Sequence, residues 1–219
     1  ENNDLLKKFS KIASKYNIVL PISFFEKDQN SYYNSVAIID SKGSILGKYR
    51  KSHIPQNPGY EEKYYFTPGN SGFKVWDVGI CKIGVGICWD QWFPECARSM
   101  ALDGADILFY PTAIGSEPQD PNINSKDHWQ TVMRGHAASN VVGVVASNRI
   151  GSELNNNVEM EFYGHSLIIN ETGDIVKDLG KDNEGFSSYS FNIDAIQLKR
   201  TEWGLFRDRR EDLYSNLIK

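Results

Sequence analysis

Short apolar segments that alternate with helical periods, broken by two hairpin signals, predict an α/β fold whose sheets are mixed rather than purely parallel. Three observations carry this. Ile83-Gly84-Val85-Gly86-Ile87-Cys88 reads as a short buried strand that turns sharply into a helix opened by Pro94 and closed by Gly104. Asp40-Ser41-Lys42-Gly43 and Asn170-Glu171-Thr172-Gly173 each place turn-forming residues between two apolar runs. No linker and no internal repeat divides residues 1–219, so the reading is a single domain.

Leu5, Leu6, Phe9, Ile12, Ala13 and Tyr16 recur at helical spacing, with Asp4 as N-cap. Residues 18–25 read as a strand and residues 26–30 as a turn. Residues 33–39 and 44–49 pair across the first hairpin. A Gly-, Pro- and Tyr-rich loop, 57–72, leads to the Cys88 strand. Residues 105–110 form another short strand, stopped by Pro111, and the loop 112–124 holds Glu117 and Asp120. Trp129, Val132, Met133, His136, Ala137 and Asn140 mark one helix face, and residues 141–146 a buried strand. Asn155-Asn156-Asn157 reads as a polar turn without chemistry. Residues 163–169 and 175–179 pair across the second hairpin, and residues 187–193 give a last strand before a charged tail.

The 219 residues are 40% hydrophobic and 24% charged, enough for a sizeable core. No stretch approaches the roughly 18 consecutive apolar residues of a membrane helix. Glu1-Asn2-Asn3-Asp4 has neither the basic nor the apolar region of a signal peptide. A net charge of −4, with Lys and Arg spread along the chain, argues against nucleic acid as a partner. The three cysteines form no CxxC pair and no zinc pattern with the four histidines, so neither a metal nor another cofactor is expected. Cys81 and Cys88, seven apart on one expected strand, leave opposite faces and cannot bridge. An odd count of unpaired thiols points to a reducing compartment, with the cytoplasm as default.

A thiol at a strand-to-helix turn points toward the carboxyl ends of the strands, where α/β proteins bind ligands. Free cysteine also packs as a small hydrophobe, so this address leaves both readings of Cys88 open. Lys51 reads equally as a solvated member of the Lys48, Arg50, Lys51 patch, and Glu62 as a surface charge beside Lys63.

Tyr49-Arg50-Lys51-Ser52-His53-Ile54-Pro55, then Gly59-Tyr60-Glu61-Glu62-Lys63, then Ile87-Cys88-Trp89-Asp90-Gln91-Trp92-Phe93-Pro94-Glu95 together resemble the nitrilase, or carbon–nitrogen hydrolase, superfamily. Tyr110-Pro111-Thr112-Ala113-Ile114-Gly115-Ser116-Glu117-Pro118 and Ala146-Ser147-Asn148-Arg149-Ile150-Gly151 resemble its branch acting on N-carbamoylputrescine. The likeness spans nearly the whole chain, and the ordered set of motifs is specific where a lone RKxH or CWD is weak.

The resemblance implies a four-layer αββα sandwich and a Glu-Lys-Cys triad. Cys88 matches its nucleophile, Lys51 its lysine, and Glu62 a second glutamate that positions the site. The triad's own glutamate, the general base, is implied on an earlier strand-loop unit that this sequence does not show, so a chain truncated at its N-terminus, belonging to an enzyme that is active when whole, is expected. Glu26, in Phe24-Phe25-Glu26, lies on the following strand and is rejected as that base.

The implied reaction cleaves the carbamoyl C–N bond of N-carbamoylputrescine to putrescine, carbon dioxide and ammonia. Lys51 and the following helix's N-terminus are expected to lower the Cys88 pKa. Lys51 and the Trp89 backbone N–H are expected to hold the oxyanion. For the cationic tail of a carbamoyl-amine substrate, Glu117 comes first and Asp120 second, each of which also reads as a solvated loop acid. Tyr60 belongs to the same substrate pocket, and Trp89, Trp92 and Trp129 are candidates to wall it, though aromatics are more often core. His128 and His136 read as packing or surface residues. The resemblance further implies a homo-oligomer, with the tail around Trp203, Phe206 and Tyr214 a candidate interface. Two alternatives stand beside it: a catalytically silent protein that keeps the fold, or a related amidase with another substrate. A papain-like order of Cys88, His165 and Asn170 also exists, without that family's local sequence around the nucleophile.

Overall fold

A computed structural model describes residues 3–120, 122–155, 158–182 and 184–218. Its elements are α1 (Asp4–Tyr16), β1 (Leu20–Asp28), β2 (Ser31–Ile39), β3 (Ile45–Arg50), β4 (Val75–Asp77), β5 (Lys82–Val85), α2 (Pro94–Leu102), β6 (Ile107–Thr112), α3 (Lys126–Asn140), β7 (Gly143–Asn148), β8 (Ser152–Asn155), β9 (Val158–Glu161), β10 (Leu167–Ile169), β11 (Ile175–Asp178) and α4 (Ile193–Trp203). The first three strands form one antiparallel sheet in the order β1-β2-β3. A six-stranded sheet runs β11-β10-β7-β6-β5-β4, parallel across β5, β6 and β7 and antiparallel at both edges. β8 and β9 make a separate hairpin that the sequence reading lacks. Two of the three asparagines of the expected polar turn, Asn156 and Asn157, lie outside the described residues. Among the described residues no helix is long and apolar enough to cross a membrane.

The layers follow from side-chain alternation. In β2, Val36 and Ile38 point inward to Trp76, Ile83, Val85 and Ile87 of the larger sheet, making the core between the sheets. Ala37 and Ile39, on the other side of β2, are buried as well, on the side where α1 crosses β1 and β2. On the far face of the larger sheet, Cys96, Ala97 and Met100 of α2 and Trp129, Met133 and Ala137 of α3 pack on Leu108, Val144 and Leu167. Helix, sheet, sheet and helices therefore stack in the four expected layers.

This explains the Ile-Gly-Val-Gly-Ile rhythm before Cys88. Ile83, Val85 and Ile87 fill the space between the sheets, while a Cβ at Gly84 would come within 2.7 Å of Met100 Sδ in α2. Gly84→Val is accordingly expected to cost about 1–3 kcal/mol by overpacking. A urea midpoint unchanged from the parent would contradict this close approach.

Several boundaries differ from the sequence reading. The N-cap of α1 is Asn3, whose side chain accepts the Leu5 and Leu6 N–H groups, while Asp4 pairs with Lys7 at 3.2 Å. β1 runs on through Asp28, and the turn contracts to Gln29 (φ 52) and Asn30. Pro111 does not stop β6 but lies inside it, tolerated because pairing with β5 ends at Phe109. Cys81 and Cys88 do not share a strand, since Cys81 lies before β5 and Cys88 beyond its end. Residues 187–192 form no strand, because alternation alone supplies no ladder partner; the Phe191 ring instead packs over Gly143. The expected charged tail begins instead with α4, capped by the Asn192 side chain on the Ala195 N–H at 3.0 Å.

Candidate active site

Alternation at the end of β3 sends two neighbouring cations to opposite faces. Arg50 reaches Glu26, donating from Nε at 3.0 Å and Nη2 at 2.5 Å, and also reaches Asp28 at 2.6 Å and Asn70 at 3.0 Å. Ser35 Oγ donates to Glu26 at 2.6 Å, and Lys48 joins the same carboxylate. Burial by itself pushes the Glu26 carboxyl up, but the hydrogen bonds from Arg50, Lys48 and Ser35 prevail and hold it at about 2. Glu26 is thus committed to a structural cluster.

Lys51 points the other way and is 1% exposed. Its ammonium meets Glu62 Oε1 at 2.6 Å, and Asn34 Nδ2 donates to Glu62 Oε2 at 3.3 Å. The Lys51 backbone is pinned on both sides, its N–H on the Asn34 carbonyl at 2.8 Å and its carbonyl on the Gly69 N–H at 2.7 Å. Glu62 opens a short 3₁₀ turn, Glu62–Tyr64, on the loop that follows.

Cys88 lies past the end of β5, at φ 45, in the left-handed region that disfavours a Cβ. It begins a 3₁₀ turn, Cys88–Trp92, and α2 starts only at Pro94. Burial pushes the Cys88 thiol up, opposed by the Lys51 ammonium and by a hydrogen bond from the Ala113 N–H. The expected lowering is therefore overturned: withdrawal from water outweighs the nearby cation. The resting group is a thiol that needs a base.

Cys88 lines a cavity of about 270 Å³. Tyr60, Trp89 and Glu117 line it too, while Lys51 and Glu62 stand outside its lining. Tyr60 contributes its ring, because its hydroxyl is engaged with the loop behind, accepting the Gly115 N–H at 3.0 Å and donating to the Ser116 carbonyl at 3.2 Å. Trp92 also lines the cavity, but Trp129 does not: it is wholly buried and donates its indole N–H to Gln91 Oε1 at 2.8 Å. Asp120 is absent from the lining as well, its carboxylate turned back on Asn122 at 2.9 and 3.0 Å.

Asn57, Gln91 and Ser125 line the cavity though the sequence singled out none of them as a site residue, and His128, expected as a packing or surface residue, lines it too. His128 sits edge-on to Trp92 at 4.9 Å. It precedes the core residue Trp129, so a helical step rotates it off the core face, and only the packing of α3 over the Cys88 turn gives it a role. His165 and Asn170 lie elsewhere, the first 3.0 Å from both oxygens of Asp178 and the second within the hairpin turn, which rules out the papain-like arrangement. Among the described residues no group of three or more His, Cys, Asp or Glu side chains is placed to hold a metal ion.

A strained cysteine, a buried lysine paired with a half-buried glutamate, and an adjoining small-molecule cavity describe a hydrolase site. The model of the carbon-nitrogen hydrolase family matches residues 1–202, and the chain belongs to that family, the nitrilase superfamily. Citrullinase of Francisella tularensis is 54% identical over 219 residues, 100% of this chain and 77% of that protein. The N-carbamoylputrescine amidase of Solanum lycopersicum is 56% identical over 215 residues, 96% of this chain and 72% of that protein. The crystal structure of a carbon-nitrogen hydrolase from Helicobacter pylori G27 superposes with a TM-score of 0.90 at 38% identity, covering 99% of this chain and 76% of that one.

Proposed function

We propose that this chain carries the site of an amidohydrolase that cleaves N-carbamoylputrescine to putrescine, carbon dioxide and ammonia. The observation that carries the substrate choice is the charge of the Cys88 cavity. Glu117 is the carboxylate in its lining, and no Lys or Arg lines it among the described residues. A ureido group with an ammonium tail fits such a wall, whereas an α-carboxylate there lacks a cation.

Cys88 Sγ is the nucleophile that attacks the ureido carbon. Lys51 and the Trp89 backbone N–H balance the charge developing on oxygen. Glu62 is occupied by Lys51 and Asn34, so its part is to orient the ammonium. The thiol proton goes to the further glutamate that the family likeness implies, and from there to the departing putrescine nitrogen. The C–N bond breaks and leaves a carbamoyl-thioester on Cys88. Water then adds to that carbon, the C–S bond breaks, the thiol regains its proton, and the released carbamate divides into carbon dioxide and ammonia.

The relative named citrullinase supports a second reading, a ureido amino acid as substrate. Ammonia release from N-carbamoylputrescine and from citrulline, measured on one preparation of the full-length protein, decides between them. Preferred turnover of N-carbamoylputrescine supports our reading, preferred turnover of citrulline overturns it, and release from neither favours a silent protein. Glu117→Gln is expected to raise KM for N-carbamoylputrescine roughly tenfold or more, the value of a charge-assisted contact, with less effect on kcat. An unchanged KM would remove Glu117 from the substrate contact.

A further inference from the structure

We infer that Asp90 is a positioning residue, a buried clamp that fixes the Lys51 loop against the Cys88 turn. Its side chain is 0% exposed, and its two oxygens gather partners from both segments. Oδ2 accepts the Tyr49 hydroxyl at 2.8 Å and the Ile87 N–H at 2.9 Å. Oδ1 accepts the His53 backbone N–H at 3.0 Å and lies 2.8 Å from His53 Nδ1. Tyr49 and His53 flank Lys51 at two residues on either side, and Ile87 immediately precedes Cys88. The Ser52 N–H closes the loop on the Tyr49 oxygen at 3.1 Å. The His53 ring is held in plane by Phe93, stacked at 3.6 Å and 5°.

The chemistry of the group separates position from charge. No Lys or Arg pairs with Asp90 among the ion pairs of the described residues; the partners of its buried side chain are neutral donors and the His53 ring. Its charge also opposes ionisation of the Cys88 thiol, as that of Glu62 does, while Lys51 favours it. An acid that works electrostatically against its own nucleophile earns its place through geometry. Holding a reacting pair in register is worth large factors, because a displacement of about 1 Å costs on the order of 100-fold in rate.

The inference rests on Cys88 and Lys51 as the reacting pair, and its test includes a readout that needs no substrate. Asp90→Asn and Tyr49→Phe are made in the full-length protein, with folding checked by circular dichroism. Turnover of N-carbamoylputrescine is measured beside the pH profile of Cys88 alkylation by iodoacetamide, followed by mass spectrometry of the Cys88 peptide. Asp90→Asn is expected to lower kcat by about 100-fold with KM unchanged, and Tyr49→Phe to lower it less, in the same direction. Both alkylation profiles are expected to move to higher pH as Lys51 drifts from the sulfur. Were Asp90 acting by charge alone, removing that charge would move the profile to lower pH. That result, or a folded Tyr49→Phe protein with parental kcat and profile, overturns the clamp. If the substrate assignment fails instead, the alkylation profiles still shift. Should Asp90→Asn not fold, Tyr49→Phe alone decides, since it keeps the charge and removes one clamp bond.

Discussion

Cys88→Ala is expected to reduce ammonia release from the full-length protein by a factor on the order of 10⁴ or more, because Cys88 is the only thiol lining the cavity among the described residues. The companion variant is more informative. At φ 45 an alanine keeps the crowded Cβ and a glycine does not. Cys88→Gly is therefore expected to be as inactive as Cys88→Ala yet more stable by about 1 kcal/mol. Thermal melts of the two variants check this. Equal stability would mean that the turn relaxes around any residue and stores no strain for the nucleophile, and residual turnover in either variant would remove Cys88 from the chemistry.

The second large effect lies in the Glu26 cluster and is a matter of pH. Held at about 2 against a usual value of 4.5, Glu26 binds its proton more readily unfolded than folded. Its stabilising contribution is complete above about pH 4.5 and is lost as the pH falls through the interval toward 2. A shift of that size corresponds to roughly 3 kcal/mol. Glu26→Gln is expected to unfold at lower denaturant at pH 7, and the gap from the parent is expected to narrow steadily below pH 4.5. Denaturant midpoints between pH 7 and pH 2.5 measure both. Parallel curves would show that Arg50 finds other partners and that Glu26 carries no acid-sensitive stability.

What was legible in the sequence shares one property: it is written in local order. The hairpins at Asp40–Gly43 and Asn170–Gly173, the Pro94 start of α2, and the alternation around Gly84 are short-range patterns and stand where expected. The meeting of Lys51 with Glu62 was legible through the ordered motifs, not through spacing. Long-range consequences were not legible. Residues 187–192 alternate like a strand but find no ladder. Trp129 looks like pocket wall until its indole is seen bonded to Gln91 inside the core. The direction of the Cys88 shift depends on how much water the fold removes, which no motif records. Asp90 stands in plain view beside Cys88, but its partners lie about 40 residues upstream, so its role emerges only in three dimensions.

Adjacent cations at the end of β3 have a consequence for how this protein tolerates change in length. Arg50 is an anchor in the Glu26 cluster and Lys51 is the buried partner of Glu62, and a single peptide unit separates the two places. A one-residue insertion or deletion in the turn joining β2 to β3 would exchange their faces, presenting a guanidinium to the cavity side and an ammonium to Glu26. Such a protein would keep its composition and most of its core and still lose its chemistry. Drift in this hairpin is therefore open to substitution but closed to slippage.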